Sequence, residues 1–215
     1  MVPPERYVRN LELALRYREV KGCVVECGVW RGGMSAGLAE VLGAEREYFL
    51  FDSFQGLPPA SQLDGEIAAA WQRPENSRLN FNNCSASVAD ADTAMRKSGV
   101  PRYHLIKGWF SDTLPGFVFS EKIAVLRLDG DWYESTLTCL ENLYPHLAET
   151  AVVIVDDYYA WEGCTRALNE FLSRTQGPTN FLAIRQFDND VCYFERRSGP
   201  VWQPEIAPSN RALAR

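Results

Sequence analysis

Short apolar runs alternate with amphipathic segments along most of the chain. The runs are too short for buried helices and end at glycine or charged residues, so they predict buried strands. The predicted strands cover residues 22–28, 47–52, 103–107, 123–129, 151–157, 181–185 and 190–196. The predicted helices cover residues 5–20, 32–42, 86–98, 135–147 and 163–173.

This alternation predicts an α/β fold of the Rossmann-like type, a mostly parallel seven-stranded sheet with helices on both faces. The last two strands are expected to pair as an antiparallel hairpin across residues 188–189. We expect a single domain over residues 1–215, with an N-terminal helix within 1–21 and a loose tail at 198–215. Residues 53–84, here called the insert, are predicted to be a lid-forming loop with one helical turn near 67–71.

The amino-acid composition says little about the fold but restricts the kinds of partner that are expected. The formal net charge is -6, and binders of nucleic acid or of anionic membranes are normally basic, so neither partner is expected. The six cysteines form no CxxC pair, and the N-terminus does not resemble a signal peptide. No stretch is long enough to span a membrane. These features predict a reduced, cytoplasmic protein.

Carboxylates stand near the ends of four predicted strands: Glu26, Asp52, Asp129 and the pair Asp156–Asp157. In open α/β sheets, ligands bind beyond the carboxyl ends of the strands. Any one of these acids is explained equally well as a helix cap. Four of them at one edge are harder to explain by capping alone, because a buried charge is costly unless it is paired or bound to a ligand.

The first strand leads into a glycine-rich turn. Gly28, Gly32 and Gly33 allow a ligand to approach the backbone, but Trp30 breaks the Gly-x-Gly-x-x-Gly pattern and no lysine follows as in a P-loop. The turn therefore suits a nucleoside without a pyrophosphate, and Asp52 stands at the offset of a ribose-binding carboxylate. A plain glycine turn with a capping aspartate remains the alternative.

The acids of the second half predict a cation site. A right-handed crossover places the strands that end at Asp129 and at Asp156–Asp157 side by side. Carboxylates so close raise each other's pKa unless a cation lies between them. Oxygen ligands favour Mg²⁺ first, and Mn²⁺ or Ca²⁺ next. The alternative is that Asp156 caps a helix and Asp157 faces solvent.

Five ordered segments closely resemble the macrocin-type O-methyltransferases, which act on deoxysugars of macrolide and aminocoumarin antibiotics. The segments are residues 24–33, 51–58, 108–115, 128–136 and 155–158, and the resemblance extends from about residue 8 to residue 195. It implies a class I methyltransferase fold, the methyl donor S-adenosylmethionine and a Mg²⁺ ion. A small-molecule sugar or glycoside as substrate, and a homodimer, are further implications.

The resemblance also assigns roles to residues. It implies that the cofactor is bound by Glu26, Gly28, Val29, Trp30, Ser35, Asp52, Ser53, Phe54, Gly108, Trp109, Phe110 and Asp129, with Ser111 beside the adenine. It implies that Asp129, Asp156 and Asp157 hold the metal, and that Asp129 is the general base. A sugar hydroxyl hardly ionises at neutral pH, so metal coordination and a nearby carboxylate are the chemistry it needs.

Three rival functions remain to be separated. Asp129-Gly130-Asp131 has the DxD form that binds Mn²⁺ and a diphosphate in nucleotide-sugar glycosyltransferases, which predicts a metal ligand at Asp131 instead of Asp156. A non-catalytic S-adenosylmethionine-binding module has no use for the metal acids. Trp30 argues against an NAD-dependent dehydrogenase. His104 and His146 lie outside the motifs and are interpreted as structural or surface residues.

Overall fold

The computed structural model describes residues 2–73, 82–177, 182–187 and 191–196. Its helices are α1 (Pro4–Leu15), α2 (Gly33–Leu42), α3 (Gly65–Trp71), α4 (Val88–Ser98), α5 (Phe110–Thr113), α6 (Tyr133–Leu143) and α7 (Glu162–Thr175). Its strands are β1 (Cys23–Cys27), β2 (Tyr48–Asp52), β3 (Tyr103–Lys107), β4 (Ile123–Leu128), β5 (Leu147–Val155), β6 (Arg185–Gln186) and β7 (Cys192–Glu195).

The strands form one sheet in the order β3-β2-β1-β4-β5-β7-β6. Strands β1 to β5 pair in parallel, whereas β7 runs antiparallel to both β5 and β6. The predicted mostly parallel seven-stranded sheet with a C-terminal antiparallel pair is therefore confirmed. The chain order reverses between β1 and β4, and such a reversal opens a crevice at the carboxyl edge.

The core has two layers because successive side chains of a strand point to opposite faces. Val25 and Leu126 face the layer that holds Leu140 of α6 and Leu168 of α7. The neighbouring residues of the same strands, Val24 and Val125, face the other layer, whose helix residues include Leu13, Leu38 and Met95 of α1, α2 and α4. The sheet is thus covered on both faces, and its carboxyl edge is left to the loops.

Some predicted boundaries were wrong. Helix α6 ends at Leu143 instead of 147, because Pro145 follows within a 3₁₀ turn at Tyr144–His146. Strand β5 then starts at Leu147, four residues earlier than predicted. Helix α1 ends at Leu15 instead of 20 and gives way to tight turns. Helix α5 was not predicted.

The insert contains more structure than the single predicted turn. A 3₁₀ turn at Gln62–Asp64 precedes α3. Ser61 and Asp64 form a reciprocal capping box at the start of this 3₁₀ turn. Residues 74–81 of the insert, the hairpin turn at 188–189 and the tail at 198–215 lie outside the described residues.

Two further observations concern the chain as a whole. All six cysteines are described, and none forms a disulfide. Within the described ranges, no helix has the length and apolar character needed to cross a membrane.

Candidate functional site

A cavity of about 510 Å³ opens at the carboxyl edge of the sheet. Loops that follow the five parallel strands line it, together with α1 and the insert. The predicted site residues on its wall are Gly28, Trp30, Asp52, Ser53, Gly108, Trp109, Phe110, Ser111, Asp129, Asp156 and Asp157. The structure therefore brings residues from five separate segments together around one space, at the edge where the fold predicts a ligand.

The turn between β1 and α2, residues 28–33, is here called the donor turn. Gly28 has a φ of +90°, and a Cβ there would lie 1.8 Å from the backbone oxygen of Asp129. A side chain at position 28 is therefore excluded. Trp30, at the tip, also adopts a positive φ of 48°.

Asp52 holds the donor turn in place. Its Oδ2 accepts hydrogen bonds from the backbone N–H groups of Val29 and Trp30, each at 2.7 Å, and its Oδ1 accepts one from Phe54 at 2.6 Å. Burial raises the pKa of Asp52, and the three amide donors oppose that rise. An ionised carboxylate has about four acceptor positions, so three bonds leave room for about one more donor from the cavity.

Four predicted cofactor residues do not line the cavity. Val29 and Phe54 are buried in the apolar layer that contains Leu38. Glu26 is 1% exposed and accepts a hydrogen bond from the Ser35 hydroxyl. These side chains lie behind the cavity wall, so their contact with a cofactor stays a prediction.

Asp129, Asp156 and Asp157 form the acid cluster. Each offers a carboxylate oxygen, and the three oxygens lie within 4.8 Å of one another. The predicted convergence of these acids is confirmed. Burial raises the pKa of Asp156, and burial together with neighbouring carboxylates raises the pKa of Asp157 well above its usual range. The donor set is made of oxygen alone and suits a hard divalent cation.

Arg127 is the site residue that sequence reasoning missed. It is fully buried in β4, and its Nη1 lies 2.7 Å from Glu26 Oε1 and 2.9 Å from Asp129 Oδ2. Its Nη2 lies 3.0 Å from Asp156 Oδ1, and its Nε donates to Asn10 of α1. An arginine inside the apolar run 123–128 was the available signal, because a charge at such a position requires partners.

Acidic groups outnumber basic groups around the acid cluster. Glu26 and the acid cluster contribute four carboxyl groups, and Arg127 supplies one positive charge among them. The Arg6 guanidinium, 3.8 Å from Asp156, supplies a second. Burial raises the pKa of Glu26 to about 7 and also raises the pKa of Asp156 and Asp157. A divalent cation would offset the negative charge that these groups carry when they ionise.

Asp131 borders the acid cluster without belonging to it: its backbone N–H donates to Asp157 Oδ2 at 3.2 Å. Asp131 Oδ1 accepts a hydrogen bond from Trp161 Nε1 at 2.8 Å, and its backbone has a φ of 57°. Burial and the nearby Asp129 raise its pKa to about 8. The glycosyltransferase alternative requires Asp131 as a metal ligand in place of Asp156, and the geometry argues against it because Asp156, not Asp131, lies with Asp129 and Asp157.

Three tryptophans, Trp71, Trp132 and Trp161, form what we call the tryptophan wall. Trp71 and Trp161 line the cavity, and Trp132 is buried behind them. Their ring centroids are 5.1 to 6.3 Å apart, with edge-to-face angles of 71° to 81°. Trp161 follows the acid cluster after only three residues, which was a signal that sequence reasoning did not use.

Two hydrogen bonds join the insert to the α6 region. The Trp132 indole N–H donates to Pro58 O at 2.9 Å. The backbone N–H of Tyr133, at the start of α6, donates to Asp64 Oδ1 at 2.7 Å. These bonds fix α3, and with it Trp71, over the acid end of the cavity.

The opposite end of the cavity is formed by residues that follow β3. Trp109 and Ser111 line it there, while the Phe110 ring extends to within 3.3 Å of where a Cβ of Gly130 would stand, next to Asp129. The backbone N–H of Gly108 donates to Asp52 O at 2.9 Å. Four strand spacings separate β3 from β5, a distance of about 19 Å. The cavity thus has two ends, one beside β3 and one beside the acid cluster and the tryptophan wall.

The two histidines lie outside the cavity, as predicted. His104 is exposed on β3, where it stacks on Phe49 and contacts Glu47 at 2.7 Å. His146 packs against Phe119.

The sequence matches known proteins over most of its length. The family described as macrocin O-methyltransferase matches residues 5–196. A relative from Streptomyces olivaceus, 8-demethyl-8-(2,3-dimethoxy-alpha-L-rhamnosyl)-tetracenomycin-C 4'-O-methyltransferase, is 39% identical over 166 residues, which are 72% of this chain and 59% of the relative. Demethyldecarbamoylnovobiocin O-methyltransferase from Streptomyces niveus is 34% identical over 185 residues, 82% of this chain and 67% of the relative.

The fold matches a solved structure of the same kind. The O-methyltransferase NovP superposes with a TM-score of 0.71 at 31% identity, covering 88% of this chain and 80% of NovP. The predicted class I methyltransferase fold is thereby confirmed. The chain spans about three fifths to two thirds of the length of the two sequence relatives.

Proposed function

The chain belongs to the macrocin O-methyltransferase family, and on that premise we propose that it methylates a hydroxyl of a sugar or glycosylated small molecule, using S-adenosylmethionine and Mg²⁺. The observation that carries the proposal is the meeting of the acid cluster with the donor turn in one cavity. S-adenosylmethionine supplies an activated methyl group, and Mg²⁺ lowers the pKa of a hydroxyl that it coordinates.

The donor end is the half of the cavity beside β1 to β3. Asp52 has one acceptor position open to a ribose hydroxyl, and Trp109 and Phe110 supply aromatic surface for the adenine. Gly28 lines the cavity without a side chain, which leaves space there for the methionine part. Ser53, Gly108 and Ser111 complete this end.

Asp129 is the proposed general base. Arg127 fixes its Oδ2 at 2.9 Å, and the side chain is still 25% exposed to the cavity. A carboxylate held in this way can accept a proton from an acceptor hydroxyl that lies beside the acid cluster. No lysine follows Asp129, so the chain offers no lysine base there. Alignment of the hydroxyl with the methyl group is the remaining task, and such positioning lowers barriers substantially.

The acceptor is proposed to lie against the tryptophan wall. Trp161 is oriented by its bond to Asp131, and Trp71 is brought to the same place by the insert. Aromatic faces beside carboxylates suit a sugar ring, which has an apolar face and a rim of hydroxyls. The Streptomyces olivaceus relative acts on a rhamnosyl-bearing compound, so rhamnosides are the first acceptors to test.

The test is a screen of acceptors with S-adenosylmethionine and Mg²⁺, read out by release of S-adenosylhomocysteine. The set should hold free sugars, simple rhamnosides, nucleotide-sugars and glycosylated polyketides, each run with and without EDTA. Turnover of at least one sugar acceptor that depends on Mg²⁺ supports the proposal. Turnover that is unchanged by EDTA would remove the metal, and UDP- or GDP-sugar hydrolysis without methyl transfer would favour a glycosyltransferase.

Two expectations about partners stay predictions: that the protein binds no nucleic acid and that it forms a homodimer. Size-exclusion chromatography with light scattering tests the homodimer directly.

A further inference from the structure

Arg127 connects the two ends of the cavity from behind its wall. Its Nη1 contacts Glu26 in β1 at 2.7 Å and Asp129 at the end of β4 at 2.9 Å, and its Nη2 lies 3.0 Å from Asp156 after β5. Glu26 lies two residues before Gly28, where the donor turn begins, whereas Asp129 and Asp156 belong to the acid cluster. One side chain with no solvent exposure therefore contacts both the strand that leads into the donor turn and two members of the acid cluster.

The N-terminal helix completes this arrangement. Asn10 is fully buried, accepts from Arg127 Nε at 3.1 Å, and donates to Asp156 Oδ1 at 3.0 Å. Arg127 and Asp156 are thus joined by an ion pair that lacks hydrogen-bond geometry, and by hydrogen bonds through Asn10. The planar guanidinium fork leaves few alternative arrangements for the carboxylates that it binds.

This sharing of one guanidinium has a thermodynamic consequence. A cation bound by Asp129 and Asp156 would compete with Arg127 for their negative charge, and so would strengthen the ion pair between Arg127 and Glu26. Two ligands that bind at opposite ends of such a connection favour each other, and the effect is reciprocal.

We propose, building on the function proposed above, that Arg127 is a positioning residue that couples methyl-donor binding to cation binding. It holds Asp129 and Asp156 for the cation and relays their state to Glu26 beside the donor turn. Asn10 supports this role from α1.

The test measures the affinity for S-adenosylhomocysteine by calorimetry, with saturating Mg²⁺ and with EDTA. In the wild-type protein Mg²⁺ should tighten binding by about tenfold, within the usual range for coupled sites. Arg127→Lys keeps a positive charge but lacks the fork, and it should reduce this ratio to near one. Its affinity for Mg²⁺ alone should fall by roughly 10- to 100-fold.

Two further variants separate coupling from folding. Leucine is similar in size to asparagine, and Asn10→Leu should also lower the ratio of affinities with and without Mg²⁺, but by less than Arg127→Lys does. Tyr17→Phe removes another buried contact of the N-terminal segment, the 2.6 Å bond from the Tyr17 hydroxyl to Glu195, at a residue that does not line the cavity. It should keep the wild-type ratio. Arg127→Lys and Asn10→Leu decide the question together, because each changes one partner in the contact between Arg127 and Asn10.

The outcomes are distinct. If Arg127 has only a structural role, Arg127→Lys should have a lower unfolding temperature in EDTA but the same affinity ratio as the wild-type protein. That result overturns the proposal. A wild-type ratio of one overturns it as well, although Mg²⁺-dependent turnover would still support the function proposed above. Turnover that is independent of Mg²⁺ would remove both.

Discussion

The carboxylate of Asp52, which holds the donor turn, and the carboxylates of the acid cluster have different hydrogen-bond partners. Asp52 is surrounded by three backbone N–H donors from its own chain neighbourhood, and these satisfy most of its acceptor positions. In the acid cluster, Asp157 accepts a hydrogen bond from the Asp131 backbone N–H at 3.2 Å, and the Arg127 guanidinium is shared among Glu26, Asp129 and Asp156. Asp52 thus has most of its acceptor positions filled by the protein, whereas in the acid cluster the carboxyl groups outnumber the arginines beside them.

Similar residues at the same edge of the sheet therefore have different roles. A carboxylate bound by amides is a structural anchor that shapes a turn around a ligand. Carboxylates that are gathered without enough donors cost free energy, and a cation removes that cost. The four predictions below test the contrast, from the largest expected effect to the smallest.

The largest effect is expected from Asp156→Asn or Asp129→Asn, each of which removes one carboxylate from the acid cluster. Either change should lower methyl transfer by about 10³-fold or more, because it removes a cation ligand and, for Asp129, the base. Both variants should still bind S-adenosylhomocysteine in EDTA, and Asp156→Asn, which is not among the implied cofactor residues, should do so with an affinity near the wild-type value. Steady-state assays and calorimetry check the two halves. Glu141→Gln, at an exposed carboxylate of α6, is the matched control, and full activity of either aspartate variant would contradict the metal mechanism.

Asp52→Ala tests the other side of the comparison. Loss of the carboxylate leaves three amide donors without their acceptor, which should cost about 2 kcal/mol of unfolding free energy. The affinity for S-adenosylmethionine should also fall, by about tenfold or more, since one hydroxyl partner and the turn geometry are both lost. Urea unfolding and calorimetry measure these changes. Unchanged cofactor affinity would refute the ribose assignment.

The metal-free protein should lose stability as the pH rises. Burial raises the pKa of Asp157, Asp156 and Asp131, the last to about 8. The folded state therefore holds protons that the unfolded state releases, and stability declines between the usual aspartate pKa of about 4 and a pH of about 8. Thermal unfolding in EDTA at pH 5 and pH 8 should differ by several degrees, and Mg²⁺ should reduce the difference. A protein that is equally stable at both pH values would show that the acid cluster carries no such cost.

The smallest expected effect concerns the tryptophan wall. Trp161→Ala should raise the KM for a sugar acceptor by about fivefold to tenfold, the scale of one aromatic contact, and leave the affinity for S-adenosylhomocysteine unchanged. Trp109→Ala, at the donor end, should weaken the affinity for S-adenosylhomocysteine and leave the KM for the sugar acceptor unchanged. Steady-state kinetics with a rhamnoside, together with calorimetry, checks the pair. An identical pattern in both variants would show that the two ends of the cavity are not separate.

Several parts of the site were predictable from local pattern alone. An apolar run of five or six residues indicates a buried strand, and an acid at its end then lies at the carboxyl edge. This reasoning placed Asp52, Asp129 and Asp156–Asp157 correctly. Boundaries were less predictable. The register of β5 depends on where Pro145 stops the preceding turn, and the apolar run alone does not show this.

The partners of polar side chains were not predictable. Glu26 has the same sequence context as the other acids, yet it lies behind the wall, because its side chain points towards Arg127 and Ser35. Asn10 carries no motif, and its role follows only from the packing of α1 beside Asp156. Trp71 and Trp161 are 90 positions apart in the chain and meet because Asp64 fastens the insert to α6.

The sequence by itself determined the fold class, the family and the edge of the sheet where the chemistry lies. These depend on the period of apolar residues and on short motifs, which are local properties of a chain. The tertiary structure alone decided that Arg127 joins Glu26 to the acid cluster and that Asp52 is occupied by backbone amides. Such contacts depend on the angles and distances at which distant elements pack, and no local pattern encodes them.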